Sequence, residues 1–237
     1  MSRQKPAPDP IRGVKRFGDK DMLRQANVHP FFEGRKVYTR NEIRADALVH
    51  GAGILAALSG SIVLLAHAGI SWVLASYVFG LLMMLACSAA YNLTPPSQLK
   101  WILRRFDHSA IFLLIAGTYT PLLPFLPDAA QSWTLGLVTW LGAAFGIAIK
   151  FIFPGRFDRL AILVYLALGW VGITAAGPFA QVLPPLVLNL IIAGGLLYTL
   201  GVIFHVWESL KFHNVIWHGF VAAAAACHFA AITLLYY

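Results

Sequence analysis

The feature that most constrains this chain is the spacing of its charges from Asp46 onward. The acids in that stretch are Asp46, Asp107, Asp128, Asp158 and Glu208, and the bases are Lys100, Arg104, Arg105, Lys150, Arg156, Arg159 and Lys211. Between these islands lie apolar runs of roughly 18 to 25 residues, enough for a helix to cross a hydrocarbon core of about 30 Å. In that solvent each unpaired backbone amide is costly, so runs of this length read as helices. Only 12% of the residues are charged, about half the roughly 25% of a soluble domain. A soluble catalytic domain is thereby excluded.

Turn and charge signals divide the apolar sequence into spans at about 47–67, 72–93, 107–126, 133–153, 160–179, 184–206 and 215–236. The fold expected is an all-α integral membrane protein, a seven-transmembrane-helix bundle. Residues 41–237 form the membrane domain. Residues 1–40 read as a basic, disordered cytoplasmic tail that helps to set topology and can lie on anionic lipid. The first 45 residues hold no apolar h-region, so the first span itself is expected to direct insertion. Cys87 and Cys227 both fall inside apolar runs and read as small buried residues.

Lysine and arginine fix the orientation. Eleven precede the first span, from Arg3 to Arg44. Lys100, Arg104 and Arg105 fall between spans 2 and 3; Lys150, near the end of span 4, is counted with Arg156 and Arg159 to the connection of spans 4 and 5; Lys211 falls between spans 6 and 7. The other connections and the C-terminus hold none. With seven spans every base lies on one side, which the positive-inside rule makes cytoplasmic. The N-terminus is therefore expected inside and the C-terminus outside.

That topology gathers polar residues at one depth. His50 opens span 1, Ser88 and Asn92 close span 2, Asp107 and His108 open span 3, and His205 and Glu208 close span 6. His213, Asn214 and His218 open span 7. Ser88 and Asn92 are spaced i, i+4, as are Asn214 and His218, so each pair shares a helix face. Ionisable residues inside a span are functional candidates by default. The alternative is that these groups join helices by hydrogen bonds of about 0.6 kcal/mol each. His228 reads as a packed histidine, and the Gly142-x-x-x-Gly146 spacing as a place of close helix approach.

Four stretches carry a resemblance: Glu42 to Gly51 (EIRADALVHG), Ser88 to Leu93 (SAAYNL), Arg105 to Pro121 (RFDHSAIFLLIAGTYTP) and Asn214 to Phe229 (NVIWHGFVAAAAACHF). Together they resemble the hemolysin III proteins, the bacterial branch of the progestin and adipoQ receptor superfamily, from about residue 38 to the end. The resemblance implies a seven-helix bundle with its N-terminus inside and a kinship with alkaline-ceramidase-like membrane hydrolases. It also implies a zinc site near the cytoplasmic face: a serine and a histidine i, i+4 on helix 2, an aspartate opening helix 3, and an H-x-x-x-H pair on helix 7. Ser88, Asp107 and His218 match those positions. Asn92 and Asn214 stand where the other two histidines are expected.

Zinc prefers imidazole, thiolate and carboxylate, and a neutral amide oxygen suits harder cations. His213 lies about 100° around the helix from Asn214 and cannot take its place, and His50, His108 and Glu208 can rebuild a site only with a different geometry. The expectation is therefore a multi-pass inner-membrane protein with a degenerate metal site and a non-catalytic or divergent role. Zn²⁺ is disfavoured as its cofactor. The alternative is a zinc-dependent hydrolase of a lipid amide, with Asp107 as general base and Ser88 as a supporting donor. The next alternative is a pore or transporter, although no span carries the repeated charge that lines ion pathways. The partner expected is the lipid bilayer, and none is expected among nucleic acids.

Overall fold

The computed structural model describes residues 29–36 and 38–237; the greater part of the expected tail lies outside them. Among the described residues every regular element is a helix. They are α1 (Arg40–Ala68), α2 (Trp72–Leu93), α3 (Gln98–Tyr119), α4 (Ala129–Ile152), α5 (Asp158–Trp170), α6 (Ala176–Val182), α7 (Pro185–Val206) and α8 (His213–Tyr236). A 3₁₀ turn over Val171–Ala175 joins α5 to α6, so that these two make one crossing. Seven helical segments are long and apolar enough to span a membrane.

Local signals set where the helices begin. Thr39 and Glu42 form a reciprocal capping box on α1, satisfying two of the backbone N–H groups that a helix start leaves free. Ser71, Ser97 and Asp128 cap α2, α3 and α4 with side-chain oxygens. Four helices start without such a cap, and two of them, α5 after Phe157 and α8 after Phe212, begin from phenylalanines in left-handed backbone at φ 60° and 59°. The caps explain two differences from the sequence reading. α1 starts at Arg40 rather than near 47, and α3 at Gln98 rather than near 107. Hydropathy assigned these first turns to connections because they carry charge. They are helical because Thr39 and Ser97 cap them and because Glu42, Asp46 and Arg104 are buried.

The surface is inverted relative to that of a soluble protein. Leu48, Leu55, Ile62, Leu141 and Phe145 are exposed, whereas Glu42, Asp46, His50, Arg104, Lys150 and His218 are buried. Outward apolar side chains meet hydrocarbon, and inward polar ones must find partners among themselves. Backbones approach closely where glycine permits it: a Cβ on Gly80 would meet the carbonyl oxygen of Leu113 at 3.0 Å, and one on Gly117 that of Ser76 at 2.9 Å. These two contacts bind α2 to α3. On α4, Gly142 faces Leu168 and Gly146 faces Phe112, so the spaced glycines contact α5 and α3 within the chain. His228 donates from Nε2 to the Ile191 carbonyl at 3.1 Å, a bond between α8 and α7.

Residues 29–36 and 38–39 lie against the end of the bundle where α1 begins, hereafter the basic end. His29 stacks on Trp101 with centroids 4.4 Å apart. Lys36 donates to the carbonyls of Glu208 and Leu210, each at 3.0 Å. The polar site lies directly beneath this segment.

Candidate polar site

Three helices each bring an i, i+4 pair to the basic end: Asp46 and His50 on α1, Ser88 and Asn92 on α2, Asn214 and His218 on α8. The spacing puts both members of a pair on one face. The six side chains form a closed circuit. His218 Nδ1 donates to Asp46 Oδ1 at 2.5 Å. His50 Nδ1 donates to the Asp46 carbonyl at 2.9 Å, and its Nε2 lies 3.2 Å from Ser88 Oγ. Asn92 Nδ2 donates to the Ser88 carbonyl at 2.9 Å and lies 3.3 Å from Ser88 Oγ. Asn214 Nδ2 donates to Asn92 Oδ1 at 3.1 Å and reaches Asp46 Oδ2 at 3.5 Å. The rings of His50 and His218 meet edge to face, their centroids 4.4 Å apart.

The acceptors dictate how each ambiguous side chain is turned. A carbonyl only accepts, so the His50 Nδ1 carries hydrogen, and in the neutral ring Nε2 is left to accept from Ser88. By the same rule Asn92 presents its NH₂ to the Ser88 carbonyl, and Asn214 presents its NH₂ to the Asp46 carboxylate. Asp46 thus orients both imidazoles, one through its backbone and the other through its side chain. Two narrow clefts flank the circuit. One, of about 260 Å³ with its open mouth, is lined by Tyr38, Glu42, Asp46, Asn92, Phe212 and Asn214. The other, of about 240 Å³, is lined by His50, Ser88 and His218 with Met84, Leu85 and Val221. Most of each volume is open mouth, leaving room for little more than one water.

The structure brings together five residues of the expected cluster: His50, Ser88, Asn92, Asn214 and His218. Asp107 faces Ser88 and His218 from α3, and its Oδ2 lies 3.5 Å from His108 Nδ1. The His108 ring turns back along its own helix, donating from Nδ1 to the Arg104 carbonyl at 2.8 Å, while Tyr165 donates to the His108 carbonyl at 2.8 Å. Asp46 is the member that sequence reasoning left among the boundary charges. Its signal was available: it stands four residues before His50 in the Glu42 to Gly51 stretch.

A second polar cluster lies beside the first, between α3, α4 and α5. Arg104 pairs with Asp158 Oδ2 at 2.5 Å and Lys150 with Oδ1 at 3.0 Å. The Lys150 side chain is 2% exposed. Both bases had been read as charges of connections, yet they lie inside helices and are committed to one carboxylate.

The segment before α1 closes over the first cluster. Tyr38 Oη donates to His213 Nε2 at 3.2 Å, while His213 Nδ1 donates to the Phe204 carbonyl. Burial pushes the Tyr38 hydroxyl up to about 12, so it remains a donor at neutral pH. Glu42 accepts from Thr39 with one oxygen, and with the other from the Phe212 N–H at 3.0 Å.

The zinc arrangement implied by the resemblance needs acceptors at positions 92 and 214. Both amides instead turn their NH₂ groups into the circuit. Asn92 Nδ2 lies 3.5 Å from the retained His218 Nε2, and the Asn92 oxygen accepts from Asn214. Hydrogen-bond donors face the place where a cation would sit. The set Asn92, Asn214 and His218 therefore does not fit zinc.

Comparison with known proteins agrees with the sequence motifs. Residues 38–229 match the family described as Haemolysin-III related. The chain is 36% identical to a Hemolysin-3 homolog of Bacillus subtilis, over 83% of this chain and 95% of that protein. It is 37% identical to Hemolysin-3 of Bacillus cereus, over 82% and 91%. It is also 28% identical to the human monocyte to macrophage differentiation factor, over 84% and 86%.

Proposed function

This chain belongs to the Haemolysin-III related family, and from that premise we propose that it is an inner-membrane member with a degenerate metal site and a divergent, non-catalytic role. The observation that carries this reading is the inward turn of the two amides. Asn92 and Asn214 complete a hydrogen-bonded circuit among α1, α2 and α8 at the positions where the family resemblance expects imidazoles. A network whose members are all satisfied rigidifies a buried site. It joins the first and last spans through the second without any ion at the family position.

A hydrolase acting on a lipid amide would need ligands at 92 and 214 and space for a head group. The amides occupy the first, and the clefts hold little more than a water. The basic end is the cytoplasmic one in this proposal, by the positive-inside rule. The test is the double variant Asn92→His, Asn214→His, assayed with the native chain for zinc affinity and for zinc-dependent hydrolysis of a ceramide-type amide. The variant should bind zinc at least about 10-fold more tightly, since lost ligands and their supports cost that much. The native chain should not turn over the amide. Zinc-dependent turnover by the native chain, abolished by Asn92→Ala or Asn214→Ala, would overturn the reading.

A further inference from the structure

The donors around the circuit are unevenly placed. Where α2 and α8 offer amides, α1 offers a carboxylate and an imidazole. Asp46, His50 and His218 each supply one ligand-type atom, and these atoms all lie within 4.8 Å of one another. Asp46 Oδ1 is 2.5 Å from His218 Nδ1, and the His50 nitrogen free to coordinate is Nε2, because Nδ1 donates to the Asp46 carbonyl. Ligands about 2.0 to 2.1 Å from a tetrahedral ion stand about 3.3 Å apart, a spacing that lies inside the 4.8 Å these atoms span. All three residues are buried.

We propose that Asp46, His50 and His218 form a divalent transition-metal site, displaced toward α1 from the family position on α2 and α8. Two imidazoles and one carboxylate form a donor set used for Zn²⁺ and for Fe²⁺. The set has what a closed hydrogen-bonded core does not need: space on both sides. One cleft reaches His50 and His218 and the other reaches Asp46, each able to admit a water as a further ligand. The occupant is therefore an ion with one or two waters. His50 is held in one orientation by its hydrogen bond to the Asp46 carbonyl, the kind of outer contact that fixes metal-binding histidines. His218 now spends its Nδ1 hydrogen on Asp46, so coordination through Nδ1 moves that hydrogen to Nε2. Asn92 receives it there only by turning its amide over, which gives up the bond that its oxygen accepts from Asn214.

This inference deepens the proposed function, since it leaves the amide positions without a ligand role, and it is tested separately. Full-length protein in detergent is stripped with chelator and titrated with Zn²⁺, then with Co²⁺ while the absorption spectrum is recorded. The native chain should bind about one ion, and Asp46→Ala or His50→Ala should weaken binding by about 100-fold or more. Asn214→Ala should leave the affinity within about 10-fold, the lower edge of an outer-contact effect. Co²⁺ should give d–d bands without thiolate charge transfer, because Cys87 and Cys227 are not ligands. Circular dichroism and thermal unfolding separate lost ligation from lost folding. No saturable binding by the native chain, alongside binding by Asn92→His, Asn214→His, would overturn the displaced site and leave the degenerate-site reading standing. Binding that survives His50→Ala but is lost in Asn92→Ala would overturn both.

Discussion

Two polar clusters share the basic end of the bundle, and each is built around one carboxylate. Asp158 is held by a guanidinium and an ammonium, Arg104 and Lys150. Asp46 is held by an imidazole and an amide, His218 and Asn214. The difference lies in what can leave. Arginine keeps its charge at every accessible pH and an ion pair with it is structural. An imidazole can exchange a proton for a metal ion, and an amide can turn over. On the proposal above, the α3–α4–α5 cluster is a fastening and the α1–α2–α8 cluster a site, although both are buried and both are costly groups in lipid.

Four substitutions would break or sharpen that contrast, each read as unfolding in detergent. Asp158→Asn leaves two cations sharing a neutral amide, one of them fully buried. Breaking buried pairs costs about 3 to 5 kcal/mol, and the lower end, about 3 kcal/mol, is expected here because the Asp158 side chain is 34% exposed. A loss below about 1 kcal/mol, the size of an exposed pair, would show that the cluster is not a fastening. Asp46→Asn removes a charge-assisted hydrogen bond and should cost about 2 kcal/mol. Equal or greater damage than at Asp158 would remove the distinction between the clusters. Asn214→Ala should cost about 0.6 kcal/mol, the usual size of a hydrogen bond between membrane helices. Lys150→Met should change stability least, within about 1 kcal/mol in either direction, since Arg104 still pairs with Asp158 and an apolar chain fills the space. A large loss there would mean that the Lys150 charge, not its volume, holds α4 to α5.

The sequence made the seven crossings legible because charge-free runs of span length have few other physical readings. It also placed the polar residues at one end, through nothing more than alternating helix direction. What it hid has a common cause. Charge near a span end looks like an interface residue whether it faces water or its neighbours, so Lys150, Arg104 and Asp46 were counted as boundary markers. Their burial depends on which face of the helix meets α5 or α8, and that is decided by packing between distant segments. The break in the fifth crossing was hidden for a different reason. An 18-residue window within 158–182 has a mean hydropathy of 2.0, so hydropathy gives no sign of the 3₁₀ turn at Val171–Ala175. Asn92 and Asn214 were legible as departures from a motif, but not as partners of each other.

The bond from the Phe212 N–H to Glu42 joins a residue at the start of the first crossing to the threshold of the last. During synthesis the first crossing enters the membrane well before the last has been made. Until then Glu42 lacks the Phe212 N–H and Asp46 lacks His218 and Asn214. Completion of the protein is thus announced at one place: the arrival of α8 caps the chain's own beginning. A chain cut short before Phe212 would leave both carboxylates without those partners.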